Sequence, residues 1–268
     1  MFSQLVDHVK ELTESSGGVW GVVIEDLQTG EEFRHNAEER FYAASIIKVP
    51  IMVAVFDAAN EGKFHLSDTL ALRREDMTSG AGVLQHMTAG TRLSIYDLVT
   101  LMIIQSDNTA TNMLIDLVGK KRIREVIKEL ELSGTVFFNK LQVIPYPLKG
   151  SNQMTAGDAA QLMKRLVTQK VISWQACEQM IEIMKKQQLN DFLPSYYSDP
   201  DGEISGMPPS WAFAHKTGMV TQIHHDVGVL YRNGRAVLLS VFSRGLETKE
   251  ARQTMANIGL AVYDYMGE

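Results

Sequence analysis

Apolar residues recur at helical spacing at Phe2, Leu5, Val6, Val9 and Leu12, which predicts an amphipathic helix from residue 2 to about 15, ended by Gly17-Gly18. The pattern then changes to a β-branched apolar run, Val19 to Leu27. Gln28-Thr29-Gly30 turns that run into a second short strand through Arg34. After a charged loop comes a long apolar stretch, Phe41 to Phe56. Pro50 is tolerated only close to a helix start, so this helix should begin near Ser45.

The middle of the chain reads as helix. Leu66-Ser67-Asp68 and Leu93-Ser94-Ile95-Tyr96-Asp97 resemble caps, the second opening an apolar helix through Ile104. Helical patterns follow over Thr109–Val118, closed by Gly119, then over Lys120–Leu130, Thr155–Thr168 and Ser173–Gln187. Residues 135–154 keep no clean period and carry Pro145, Pro147 and Gly150, which predicts a long ordered loop. Strand character returns at the end: Trp211–Thr217 alternates, Val227–Arg232 is a second run, and Asn233-Gly234 predicts a hairpin to Ala236–Phe242. Thr248–Met266 is a closing helix.

Strands at both ends with helices between them predict an α/β (α+β) fold. Its antiparallel five-stranded sheet would be formed by both termini, covered by the terminal helices on one face and a large helical insert on the other. The expected organisation is a single catalytic domain, 1–268, with subdomains 1–43 plus 211–268 (α/β) and 44–210 (mostly helical).

Composition narrows the function. The chain has 268 residues, 45% of them hydrophobic and 22% charged, enough for a sizeable core. A net charge of -6 and no basic stripe argue against nucleic acid as a partner. No stretch is long and apolar enough to span a membrane, and the first residues lack the apolar core of a signal peptide, so the expectation is a cytoplasmic protein. The single cysteine, Cys177, excludes an internal disulfide and reads as a packing residue.

Candidate chemistry starts at Ser45-Ile46-Ile47-Lys48. On a helix, positions i and i+3 share a face, so an amine would lie over a hydroxyl and could take its proton. Ser45 could equally be a helix cap and Lys48 a solvated charge. Ser106-Asp107-Asn108 precedes a helix and consists of capping residues; Lys216-Thr217-Gly218 could be the plain end of a strand. It is the occurrence of all three, each in the predicted structural context, that argues for a catalytic constellation.

With these motifs the sequence resembles the penicillin-recognising serine hydrolases, and specifically class A β-lactamases and their relatives. The resemblance extends to Gly62–Thr69, Leu98–Asn112 and Asn152–Ala160. It implies a β-lactamase/transpeptidase-like fold. It also implies that Ser45 becomes acylated, that Lys48 with a lowered pKa takes its proton, and that Ser106 relays a proton to the leaving nitrogen with help from Lys216. The backbone N–H groups of Ser45 and Met219 would receive the oxyanion. Lys216, Thr217 and Gly218 belong to substrate binding, the first two through a substrate carboxylate. Asn108 would hold both Lys48 and a substrate amide, and Asp107 would bond its own loop.

Two departures stand out. Class A enzymes carry an omega-loop Glu that activates the deacylating water, whereas Thr135–Lys149 contains no Asp or Glu. Spacing puts Gln142 near that place, and a neutral amide is no general base. Tyr146 is a second stand-in in that loop. After the third motif, where such enzymes often place an Arg, stands Gln222-Ile223-His224-His225-Asp226. His225 is therefore a candidate to line the pocket and hold a carboxylate while protonated. Adjacent strand residues point to opposite faces, so the two histidines are no chelating pair.

The expected function is a serine hydrolase acting on a small-molecule substrate, a β-lactam or a related amide or ester, with deacylation in doubt. The alternatives are a D,D-peptidase-like enzyme and a covalent β-lactam binder or sensor without turnover. No metal or organic cofactor is implied, nor any membrane partner, and the oligomeric state is left open.

Overall fold

The computed structural model describes residues 1–142, 150–198 and 210–267. Helix α1 (Phe2–Ser16) leads into β1 (Val19–Asp26) and β2 (Glu32–His35). The chain returns for β7 (Trp211–Val220), β8 (Ile223–Arg232), β9 (Arg235–Arg244) and the last helix α7 (Thr248–Tyr265). These five strands form one antiparallel sheet in the order β2-β1-β9-β8-β7, joining the two ends of the chain through β1 and β9. The five-stranded sheet expected from the sequence is thus present.

Side-chain alternation builds a core on each face of this sheet. On one face Val22, Ile24, Leu239 and Val241 pack with Leu5 and Val9 of α1 and Met255, Ile258 and Val262 of α7. On the other face Val23, Val227, Val229 and Phe242 join the core of the helical insert. A period of two splits each strand between the two cores, so neither face is left to water.

The insert holds β3 (Arg40–Tyr42), α2 (Lys48–Asn60), β4 (Thr69–Ala71), β5 (Arg92–Ser94), α3 (Ile95–Ile104), α4 (Asn108–Glu129), β6 (Gln153–Thr155), α5 (Ala156–Val167) and α6 (Trp174–Lys185). Ser94 accepts a backbone N–H as the cap its sequence predicts, and Thr155 and Ser173, where helices were expected to begin, cap theirs in the same way. Gly119, at φ 80°, breaks α4 where the pattern placed a stop.

Some elements differ from the sequence reading. Leu66-Ser67-Asp68 opens no helix; the chain turns there into β4, which pairs with β5. Three-residue strands carry too little alternation to be read locally. The pair β7/β8 is longer than predicted and is closed at Thr221-Gln222, with Val220 opposite Ile223. Of the expected loop, Val136 bridges Gln153; Pro145, Tyr146 and Pro147 lie outside the described residues.

Candidate active site

The three motifs converge from three elements. Ser45 lies on a 3-10 turn, Ala44–Ile47, that runs directly into α2, so Lys48 is the first residue of that helix. Ala44, just before the serine, is held at φ 43°, a conformation that costs a non-glycine residue energy and recurs at functional sites. The turn is anchored from both sides: Ala43 N–H donates to the Asn152 carbonyl, and the Tyr42 carbonyl is held by His225.

Ser106 and Asn108 come from the junction of α3 and α4. Asp107 caps α4 through the Ala110 N–H at 2.9 Å, and its second oxygen accepts the N–H groups of Val83 and Leu84 at 2.6 and 2.8 Å. It therefore ties the 77–87 segment to the junction, beyond its own loop. Ser106 itself sits at φ 53°.

Lys216 and Thr217 come from β7, the edge strand. The glycine after them has a steric reason. A Cβ at Gly218 would stand 3.1 Å from the backbone nitrogen of Ser45 and 3.1 Å from Ile46 Cγ1, so only glycine lets the strand approach the serine turn this closely.

The amines are fully buried. Lys48 Nζ lies 3.1 Å from Ser45 Oγ, 2.6 Å from the Ser106 carbonyl, 2.9 Å from Ser106 Oγ and 2.9 Å from Asn108 Oδ1. Two of these four, the Ser106 carbonyl and Asn108 Oδ1, can only accept. They take the two N–H bonds of a neutral amine and leave its lone pair for a hydroxyl proton. Burial, and then the charge of Lys216, pushes Lys48 well below the ordinary lysine range, with Asp107 pulling the other way. Lys216 Nζ donates to Ser106 Oγ at 3.2 Å and to the Thr217 carbonyl at 2.7 Å. Burial brings it down to about 7 against the pull of Asp226. Ser106 Oγ is thus bridged by two amines whose burial favours the neutral form.

These groups border a cleft of about 120 Å³, reached by Ser45, Ser106, Thr217 and Met219. A larger hollow, about 490 Å³, lies along the end of α4 and the Leu132–Phe138 segment. None of the three motifs reaches it, so size does not locate the chemistry. Gln187 braces the cleft from behind, donating to the carbonyls of Ile103 and His215 and so tying α3 to β7.

His225 corrects the sequence reading. It stands opposite Gly218 and shares a face with Lys216, but one strand in from the edge, beneath the 3-10 turn. Its ring stacks on Phe242 at 4.1 Å and meets Phe41 edge-on, and it is fully buried. Nε2 lies 2.9 Å from the Tyr42 carbonyl, and Nδ1 lies 2.7 Å from the His224 carbonyl and 3.3 Å from the Ser243 nitrogen, so both ring nitrogens are taken up by backbone groups. Burial lowers its pKa to about 4, so it is neutral and holds no carboxylate. His224 points to the opposite core, against Phe192 and Thr248.

The groups the sequence reading missed are Arg252 and Asp191. Both border the cleft, and Arg252 Nη2 lies 3.1 Å from Asp191 Oδ2. Arg252 belongs to α7, far along the chain from Lys216, and no local pattern marks it. Asn108 accepts from Lys48 through Oδ1, and its Nδ2 gives one of its two hydrogens to the Ser79 carbonyl at 3.2 Å. At the foot of the acid-free loop, Asn112 accepts the Leu141 N–H at 2.9 Å and donates to the Leu141 carbonyl at 2.8 Å. Leu141 is half-buried there, while Gln142 is exposed.

A buried amine between two serines, on a five-stranded sheet with a helical insert, defines a β-lactamase-like serine hydrolase. A sequence model of the β-lactamase enzyme family matches residues 4–266, and the chain belongs to that family. It is similar to the L2 β-lactamase of Stenotrophomonas maltophilia, at 26% identity over 92% of this chain and 81% of that one. Among solved structures it is similar to a β-lactamase from Sphaerobacter thermophilus, at 33% identity and TM-score 0.89, covering 100% of this chain and 98% of that one. It is also similar to PBP-A, at 27% identity and TM-score 0.85 over 98% and 96% of the two chains. A variant of PBP-A has been solved as an acyl-enzyme complex with penicillin G.

Proposed function

We propose that β-lactams, or related amides and esters, acylate Ser45, and that the acyl-enzyme then hydrolyses slowly. The observation that carries this is the Lys48 amine, whose two N–H bonds are taken by the Ser106 carbonyl and Asn108 Oδ1 while Ser45 Oγ lies at 3.1 Å. Lys48 accepts the Ser45 proton as Oγ bonds to the carbonyl carbon. The N–H groups of Ser45 and Met219 receive the oxyanion. The C–N bond breaks as Ser106 passes its proton to the leaving nitrogen and regains one from Lys48. Thr217 meets the substrate carboxylate with Lys216 as a buried positive charge behind it, and Arg252 takes the place that the sequence reading gave to His225.

Slow release rests on the loop. Residues 135–149 hold no carboxylate, and general-base assistance is worth about 10²–10⁴-fold. This leaves a D,D-peptidase-like enzyme or a covalent binder as the second reading. A chromogenic cephalosporin followed from the first turnover separates the readings. The expected result is a stoichiometric burst, a persistent adduct on Ser45 by mass spectrometry, and loss of both in Ser45→Ala. Rapid continuous turnover would overturn slow release, and absence of adduct and turnover with several β-lactams and p-nitrophenyl esters would overturn acylation itself. Leu141→Glu, whose backbone Asn112 fixes, should speed deacylation more than Gln142→Glu; the reverse order would place Gln142 at the water.

A further inference from the structure

Arg252 and Asp191 are the only cation and carboxylate among the described residues that border the cleft without being fully engaged in its interior. Lys216 is completely buried, with Nζ committed to Ser106 and Thr217. Arg252 is the accessible positive charge, with its side chain 43% exposed and a single contact from Nη2 to Asp191 Oδ2 at 3.1 Å. The Asp191 side chain is two-thirds exposed and lines the same cleft.

An incoming substrate carboxylate that reaches Arg252 also comes close to Asp191, and the two anions repel. A substrate that carries a cation next to its carboxylate relieves this, because its anion faces Arg252 and its cation faces Asp191. We propose that Asp191 is a specificity-determining residue that makes this subsite zwitterionic, so that the site favours substrates whose leaving portion pairs a carboxylate with a neighbouring cation. This rests on Ser45 acylation as described above, and deepens it by naming the substrate class. The walls around the pair are apolar, with Leu189, Phe192 and Met219 beside it, and offer a substrate cation no other carboxylate.

Cephalothin and cephaloridine provide the test. They share one acyl arm and a ring carboxylate, and differ in the neighbouring substituent, an uncharged acetoxymethyl or a cationic pyridiniomethyl group. The second-order rate constant for Ser45 acylation is measured for both, with the full chain and with Asp191→Asn. Their different intrinsic reactivity cancels when the cephaloridine-to-cephalothin ratio is compared between the two proteins. The expected result is a ratio about two- to fivefold lower in Asp191→Asn, the range of an exposed charge pair, mainly through faster acylation by cephalothin. The difference should shrink as salt is raised from 10 mM to 1 M. An unchanged ratio at low salt overturns the role of Asp191 while leaving acylation intact. Absence of any Ser45 adduct with either compound, in either protein, overturns the acylation reading and this inference with it. Asp191→Glu, which keeps the charge, should retain the preference of the unmodified chain; loss of the preference there would overturn the charge argument.

Discussion

At the scale of residues, the site depends on two amines that burial holds away from their usual state. Lys48 must be neutral to take a proton, and both burial and the charge of Lys216 favour that. Acylation should therefore fall on the acid side as Lys48 is protonated. It should fall again above about pH 7 as Lys216 loses the charge that attracts a carboxylate. Rate constants for Ser45 acylation across pH 5–10 check this, and Lys216→Arg should move the alkaline limb upward because guanidinium stays charged. No limb should trace to His225, which is neutral throughout.

The same burial opposes folding. An unfolded lysine titrates near 10.4, so between about pH 7 and 10 the unfolded chain holds a proton that folded Lys216 has released. Stability should rise with pH across that window, and below it the burial penalty is present in full. Lys216→Met should therefore stabilise the fold by about 1–4 kcal/mol at pH 6, with the gain fading toward pH 10, while acylation is lost. Denaturant melts at the two pH values, alongside adduct formation, test both halves of the statement.

At the scale of elements, one carboxylate organises the junction that carries Ser106 and Asn108. Asp107 caps α4 and holds the N–H groups of Val83 and Leu84. Removing it leaves three amides without their acceptor, two of them at the start of the short 3-10 turn Leu84–His86. Asp107→Ala should cost about 2–4 kcal/mol, since charged hydrogen bonds contribute about 1.5–3 each and solvent replaces part of them. Hydrogen exchange should locate the loosening in residues 77–87 and at the start of α4. Exchange confined to other elements would show that the junction is held by something else.

At the scale of the whole molecule, the wall of the cleft is built where the last helix meets the Leu193–Tyr196 turn. Gly259 of α7 lies so close to that turn that a Cβ would stand 1.9 Å from the Leu193 carbonyl oxygen. Gly259→Ala should cost about 1–3 kcal/mol through forced separation. It should also raise KM for anionic substrates by displacing Arg252 and Asp191 together. Thermal melts and a KM-against-kcat comparison check this, and an unchanged Tm would remove the seam from the account.

Much of this fold was legible because its signals are local. Caps at Ser94, Thr155 and Ser173, the stop at Gly119, and strands whose alternating sides meet separate cores all follow from side chains acting on their own backbone neighbours. The serine–lysine pair was also written locally, as a hydroxyl and an amine three residues apart. The rest depended on contacts between distant segments. The sequence offered His225 as a residue lining the pocket, but the sheet order places it one strand inward, opposite Gly218, under Phe41 and against Phe242. Arg252 reaches the cleft because α7 packs over the far face of the sheet with its first residue against His224 of β8. The sequence alone determined which groups could react; the packing of the two ends of the chain decided which of them share a cleft, because burial, charge and reach arise only where segments far apart in the chain are pressed together.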